Sequence, residues 1–341
     1  MFQVISNIAD IRAIQVNLEQ VYQQHQPLSF YSPQYILNAA ALFGTAAPKS
    51  ELFFVIYKIK QQVTHYIPLY IDHKHTLRFI FDRHTDYCAC IGPPINFVMV
   101  KELVKLITDH PGVKRIEFDN LLADDPLLNG FRHFLKSGTA ISCYNNHSFI
   151  ELTGGKLYFD QLKSKEKSEL KRVQKKNENF PFEVFSNNKP FPGHQIQQLR
   201  DQMIASKSRD ADFFDHPFMA LSEALYQAGE LEVFSKLDKG ELVSASMVLK
   251  NKNYRMVWID LFADIQFINL SAYIDYIQYL EQFPQTTFSF GRGSYDYKAK
   301  NFQPKLQNLY NLRYSKSKWD FYFFNYYPIK LFVKRLIKEK K

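Results

Sequence analysis

The stretch ELEVFSKLDKGELVSASMVLKNKNYRMVWIDLF, residues 230–262, constrains the fold most tightly. It holds three runs of β-forming residues joined by very short polar links, and Asp238-Lys239-Gly240 has the composition of a hairpin turn. Strands joined this closely must lie antiparallel, so residues 230–262 predict a three-stranded meander. Apolar spacing predicts helices near 194–206 and 216–228 before it, and near 271–282 after it. TTFSF and LYNLRYS read as two further strands, and a basic helix over 158–177 followed by PFEVFS leads into the whole. The second half thus reads helix, strand, helices, meander, helix, strand, strand.

The first half has a similar mix. Residues 7–24, 34–43, 97–108 and 126–135 carry helical patterns, while ELFFVIYKI, THYIPLYI, LRFIFD, YCACI and VKRIEF read as strands. A chain of 341 residues exceeds one ordinary domain. We place a boundary near HSFIELTGG, giving domains 1–147 and 148–327 and a tail 328–341. The expected class is mixed α+β, each domain a mainly antiparallel sheet flanked by helices.

Charge is concentrated. The net charge is +9, but residues 161–176 hold seven basic and two acidic groups, and 328–341 hold six basic and one acidic. The remainder is nearly neutral, which argues against a general nucleic-acid binder and for local recognition of phosphate or an anionic surface. On the basic helix, Lys171, Arg172, Lys175 and Lys176 fall at i, i+3 and i+4 spacings; the stripe can meet an anionic substrate or simply face solvent. The tail PIKLFVKRLIKEKK is amphipathic and can lie on an anionic membrane or dock on its own domain.

Three cysteines make no disulfide framework, and the N-terminus lacks the basic-then-apolar pattern of a signal peptide. No window reaches 18 apolar residues. The expected setting is cytoplasmic, with the tail able to rest on the inner membrane face. His73 and His75 fall short of a metal ligand set, so no metal is expected. With no nucleophile elbow and no Cys-His pair, chemistry by a covalent acyl-enzyme lacks support.

SFGRGSYDYKAKNF, residues 289–302, spends two of only 12 glycines just after an apolar strand. Gly291 and Gly293 can turn the backbone through positive φ and let a ligand approach it. Arg292 can fork onto a carboxylate or phosphate, Tyr297 can exchange a proton, and Lys298 supplies a point charge. The same residues also read as a tight turn with a solvated Arg and Lys. Asp260 and Asp264, at the end of the meander, can each serve as a general base or as a strand-end carboxylate.

The segment Ser289-Phe290-Gly291-Arg292-Gly293-Ser294-Tyr295-Asp296-Tyr297-Lys298 resembles the motif of cellulose-biosynthesis-type acetyltransferases, close to D-F-G-x-G-x-x-x-Y-K. That family has a GNAT-type fold and is related to FemAB-type transferases. SELKRVQKK, FFDHPFMALSEAL, WIDLFAD and INLSAYIDYI resemble further family segments. The resemblance implies tandem GNAT-like domains, the first degenerate. It also implies an acyltransferase moving an acyl group from an acyl-CoA-like thioester to an amine or hydroxyl of a sugar or bacterial envelope precursor in polysaccharide biosynthesis. Related readings are a FemAB-type aminoacyl transferase using charged tRNA, or a non-catalytic accessory protein. Three departures matter. Ser289 replaces an Asp, Asp296 replaces a frequent Pro, and Ala272-Tyr273 replace a Pro-Gly helix start. No glycine lies between Asp264 and Tyr273, where GNAT domains cradle the coenzyme A pyrophosphate. Asn269 and Ser271 are left as candidate caps of that helix, with Lys171, Arg172 and Lys175 as anion-binding groups.

Overall fold

A computed structural model of the chain describes residues 1–25, 30–46, 50–82, 85–135, 138–153, 157–283, 285–293 and 300–319. The chain divides into two compact units, Met1–Asn145 with Asn308–Lys341, and Asn146–Gln307.

The first unit runs β1 (Phe2–Ile5), α1 (Ile8–Ala13), α2 (Gln15–Gln24), α3 (Pro33–Ala46), β2 (Glu51–Ile59), β3 (Gln62–Ile71), β4 (Thr76–Phe79), α4 (Phe97–Asp109), β5 (Arg115–Leu122) and α5 (Pro126–Phe134). The next strand, β6 (Thr139–Leu152), carries the chain across the division. The second unit continues with α6 (Ser164–Lys176), β7 (Phe182–Phe185), α7 (Gly193–Ala205), α8 (His216–Gln227), β8 (Leu231–Asp238), β9 (Glu241–Asn251), β10 (Tyr254–Phe262), α9 (Ile268–Leu280) and β11 (Thr286–Arg292). The last strand, β12 (Lys305–Ser315), pairs antiparallel with β5 of the first unit.

Both units repeat one arrangement. In the first the strand order is β1-β2-β3-β4-β5-β12, in the second β7-β8-β9-β10-β11-β6. In each, three antiparallel strands are followed by a helix and then by a strand parallel to the third of them. A parallel partner requires a crossover, which α4 and α9 supply. The fold is therefore mixed α+β, built as a tandem of two units of like strand order.

The meander forms as the sequence dictates. Asp238 pairs with Glu241 across a two-residue loop in which Lys239 (φ 50°) and Gly240 (φ 90°) are both left-handed, the twist that matches a β-hairpin. The segments LRFIFD and YCACI give less strand than expected. Regular pairing ends at Phe79, and Cys88 and Ile91 make only isolated bridges, to Leu121 and Tyr66.

The core of the second unit lies between its sheet and helices α6 and α9. Phe234, Val248, Val257, Phe288 and Phe290 meet Tyr273, Tyr276, Ile277, Leu170 and Val173. The Phe234 and Tyr276 rings stack at 4.2 Å, and Tyr273 stacks on Phe290 at 5.8 Å.

Candidate functional site

Parallel strands β10 and β11 pair through Tyr254↔Thr287, Arg255↔Phe288 and Met256↔Ser289, and there the pairing stops. Beyond it, β10 continues to Phe262 on β9, and β11 continues to Arg292 on β6. The two strands part into an opening. Ladder pairing with β11 does not extend over 257–262, and at the end of that stretch Phe262 N–H meets Met203 Sδ at 3.4 Å.

The closed end of the opening is clamped. Glu232 is 4% exposed and accepts from Arg255 Nε at 3.1 Å and from the Tyr276 hydroxyl, with Lys250 Nζ 3.6 Å away. Burial, and then the Glu232 carboxylate, hold the Tyr276 phenol well above its ordinary pKa.

Asp260 sits on the parting stretch of β10. A β-bulge between Val257 and Ile259 sets two residues against one, so Val257 opposes Val248 and Asp260 opposes Ser246 on the same face. Without that extra residue, Asp260 would point to the opposite face. Its Oδ1 accepts from Ser246 Oγ at 2.6 Å and its Oδ2 from the Tyr273 hydroxyl at 2.8 Å. Asn269 Oδ1 lies 3.3 Å from Ser246 Oγ and 3.4 Å from Ser244 Oγ. Ser271 is fully buried in the first turn of α9, and its Oγ has no hydrogen-bond partner among the described residues. Asp264 is exposed in the loop between β10 and α9, with no hydrogen bond to the Asp260 group.

The capping expectation is corrected. The N-cap of α9 is Phe267, in the left-handed region at φ 64°, and Asn269 and Ser271 lie inside the helix. The helix starts early because the preceding loop turns tightly, with Ile268 N–H donating to Ile265 and Ser271 N–H to Phe267. The C-terminal end of α6 braces this loop. Asn177 Nδ2 donates to Gln266 O at 3.4 Å, and Lys176 Nζ meets Gln266 Oε1. The Arg172 guanidinium lies 5.3 Å and Lys176 Nζ 5.8 Å from the centre of the Phe267 ring. Of the four basic residues read from the sequence, the structure brings Arg172 and Lys176 to the start of α9. Lys171 and Lys175 are exposed on the same helix. Arg172 also pairs with Glu169 at 2.7 Å.

At the end of β11, Gly291 (φ 74°) and Gly293 (φ 97°) take the left-handed backbone that the motif predicts, and Gly293 N–H donates to Asn146 O at 2.8 Å. Arg292 opposes His147 of β6, a fully buried residue. Tyr297 and Lys298 lie outside the described residues, as does the tail 328–341.

Ser246, Tyr273, His147 and Phe267 were missed as site residues. One signal was available for Ser246, since Ser244 and Ser246 are a polar i, i+2 pair on the core-facing side of an otherwise apolar strand. Among the described residues no His, Cys, Asp and Glu cluster could hold a metal ion, and no helix is long and apolar enough to cross a membrane.

In the first unit the corresponding opening is filled. Pairing of β4 with β5 covers Thr76↔Arg115 and Leu77↔Ile116, and residues 87–91 then enter, with Cys88 N–H on Asn120 O at 3.1 Å and Ile91 bridged to Tyr66.

No family model and no curated protein matches the sequence. Solved structures do match the fold. The C-terminal domain (DUF2156) of a putative lysylphosphatidylglycerol synthetase from Agrobacterium fabrum aligns with TM-score 0.61 at 14% identity, covering 92% of this chain and 93% of that one. L-PGS from Bacillus licheniformis aligns with TM-score 0.60 at 14% identity, over 89% and 92%. FemX aligns with TM-score 0.59 at 10% identity, over 91% and 96%. At such identities the likeness is one of fold, and it extends over both units.

Proposed function

We propose that the chain is an acyltransferase of the GNAT-like class, and that the opening between β10 and β11 seats an activated acyl donor for direct transfer to an amine or hydroxyl. The observation that carries this is the parting of two parallel strands beyond Met256 and Ser289, with a half-buried carboxylate on the parting stretch of β10. Backbone amides along the parting edge of β10 would be placed to hold the donor's carbonyl and the oxyanion formed on attack. Asp260, oriented by Ser246 and Tyr273, takes the proton of the attacking group. Arg292 faces the donor from β11, and Tyr297 and Lys298 are candidates to protonate the leaving group. The acceptor suggested by the motif at 289–298 is a sugar or envelope precursor.

The donor's phosphates would lie at the start of α9, beside Arg172 and Lys176. Two donors fit this chemistry. One is a coenzyme A thioester, for which the loop lacks glycine and instead carries Phe267. The other is an aminoacyl-tRNA, which the exposed basic face of α6 favours and which accords with the likeness to FemX and to lysylphosphatidylglycerol synthetase. A coenzyme A thioester should bind no more tightly than tens of micromolar, about −6 kcal/mol, and weaken with salt because side-chain charge carries its phosphates. Calorimetric titration at two salt concentrations tests this. Submicromolar, salt-insensitive binding would show that the loop cradles a pyrophosphate without glycine. Binding of charged tRNA alone assigns the aminoacyl donor, and binding of neither removes the transferase reading.

A further inference from the structure

The first unit contains a cleft of 730 Å³ between the N-termini of α4 and α5, a size that suits a small organic ligand. Its walls are largely apolar, from Ala89, Pro94, Ile95, Phe97 and Val100, and among the described residues no lysine or arginine lines it. Phe97 is 56% exposed at the rim, where its ring meets His133 at 4.8 Å. The polar groups in the cleft include Asp124 and Asp125. Asp125 is 7% exposed. Its Oδ1 caps α5 by accepting from Leu127 N–H at 2.8 Å, and its Oδ2 has no hydrogen-bond partner among the described residues.

We propose that this cleft binds a small molecule carrying an ammonium group on an apolar body, with the ammonium on the free oxygen of Asp125. Helix N-termini favour anions, but here each already carries a side-chain cap, Asn96 Oδ1 on Met99 N–H at 3.0 Å and Asp125 Oδ1 on Leu127 N–H at 2.8 Å. A further anion would face two carboxylates. A neutral apolar molecule would leave Oδ2 buried without a partner. An ammonium meets both needs, and the apolar walls supply the burial. The site is separate from the donor opening and does not depend on the proposed transferase reaction.

The test is calorimetric titration of the full chain at pH 8 with hexylamine, hexanol and hexanoate, which share a body and differ in head group. Hexylamine should bind saturably and at least about tenfold more tightly than either of the others. Asp125→Asn keeps the capping oxygen and should reduce hexylamine to the affinity of hexanol. Asn129→Trp, at an exposed position on the cleft wall, should block all three. Among the described residues the other titratable groups lining the cleft are Cys90, Asp124 and His133. Repeating the titration at pH 6 in the His133→Gln variant removes the imidazole, and binding should weaken there as the Asp125 carboxyl gains a proton. Equal affinity for the three probes, no saturation by hexylamine, or an unchanged preference in Asp125→Asn would overturn the proposal. Should Asp125→Asn fail to fold, Asn129→Trp and the pH series decide alone.

Discussion

Asp260 carries the chemical part of this account. Both of its oxygens accept a hydrogen bond, so its orientation is fixed before any substrate arrives. Asp260→Asn preserves those acceptors in part and removes the base. It should lower kcat by about a hundredfold or more in a transfer assay, with little change in KM or melting temperature. A loss confined to KM would assign the residue to binding. Asp125 offers a residue-level test of stability. Burial is the largest cause that raises its carboxyl from the ordinary range to about 7. The folded state therefore holds a proton that the unfolded state has released between pH 4 and 7, so this residue's contribution falls as pH rises through that window. Asp125→Asn should gain stability relative to the wild type over the same window, by up to about 4 kcal/mol, read from urea unfolding at pH 4.5 and 7.5. Asp82, raised to about 6 by burial, titrates in both proteins and cancels from the comparison. The sequence offered Asp260 as a general base but could not separate it from Asp264, and it gave no sign of the role of Asp125. Asp260 faces α9 only because of a one-residue bulge, which no spacing rule announces, and the desolvation of Asp125 depends on neighbours distant in sequence.

Among the elements, the clamp at the closed end of the opening joins β8, β9, β10 and α9 through one buried carboxylate, Glu232. Glu232→Ala leaves Arg255 and Lys250 without that carboxylate and the Tyr276 hydroxyl without its acceptor. It should cost about 3–5 kcal/mol in chemical unfolding, whereas Glu232→Gln should cost less. An unchanged midpoint for Glu232→Ala would mean that the parting strands are held by packing alone. The meander was readable because its hairpin chemistry is local, and so was the left-handed turn at Gly291 and Gly293. The start of α9 was misplaced because composition favoured a polar cap, whereas the observed N-cap is an aromatic residue set against basic side chains of α6, a contact across about 90 residues.

For the whole molecule, the sequence showed two similar mixtures of elements but could not show that they repeat one strand order. The alternation of helix and strand is local, whereas the pairing of β12 with β5 joins residues almost two hundred positions apart. Nor could it show that one copy of the opening is filled. Residues 87–91 read as an ordinary strand, and their position between β3 and β5 is a tertiary fact. The central claim is that the donor enters the second unit only. Hydrogen–deuterium exchange of the full chain, with and without a saturating donor or its non-reactive analogue, tests it most directly. The account predicts slowed exchange in 257–271 and 289–293, the parting strand edges and the start of α9, with 85–91 and 115–122 unchanged. Protection confined to 85–91 and 115–122, with none along the parting stretch of β10, would contradict it.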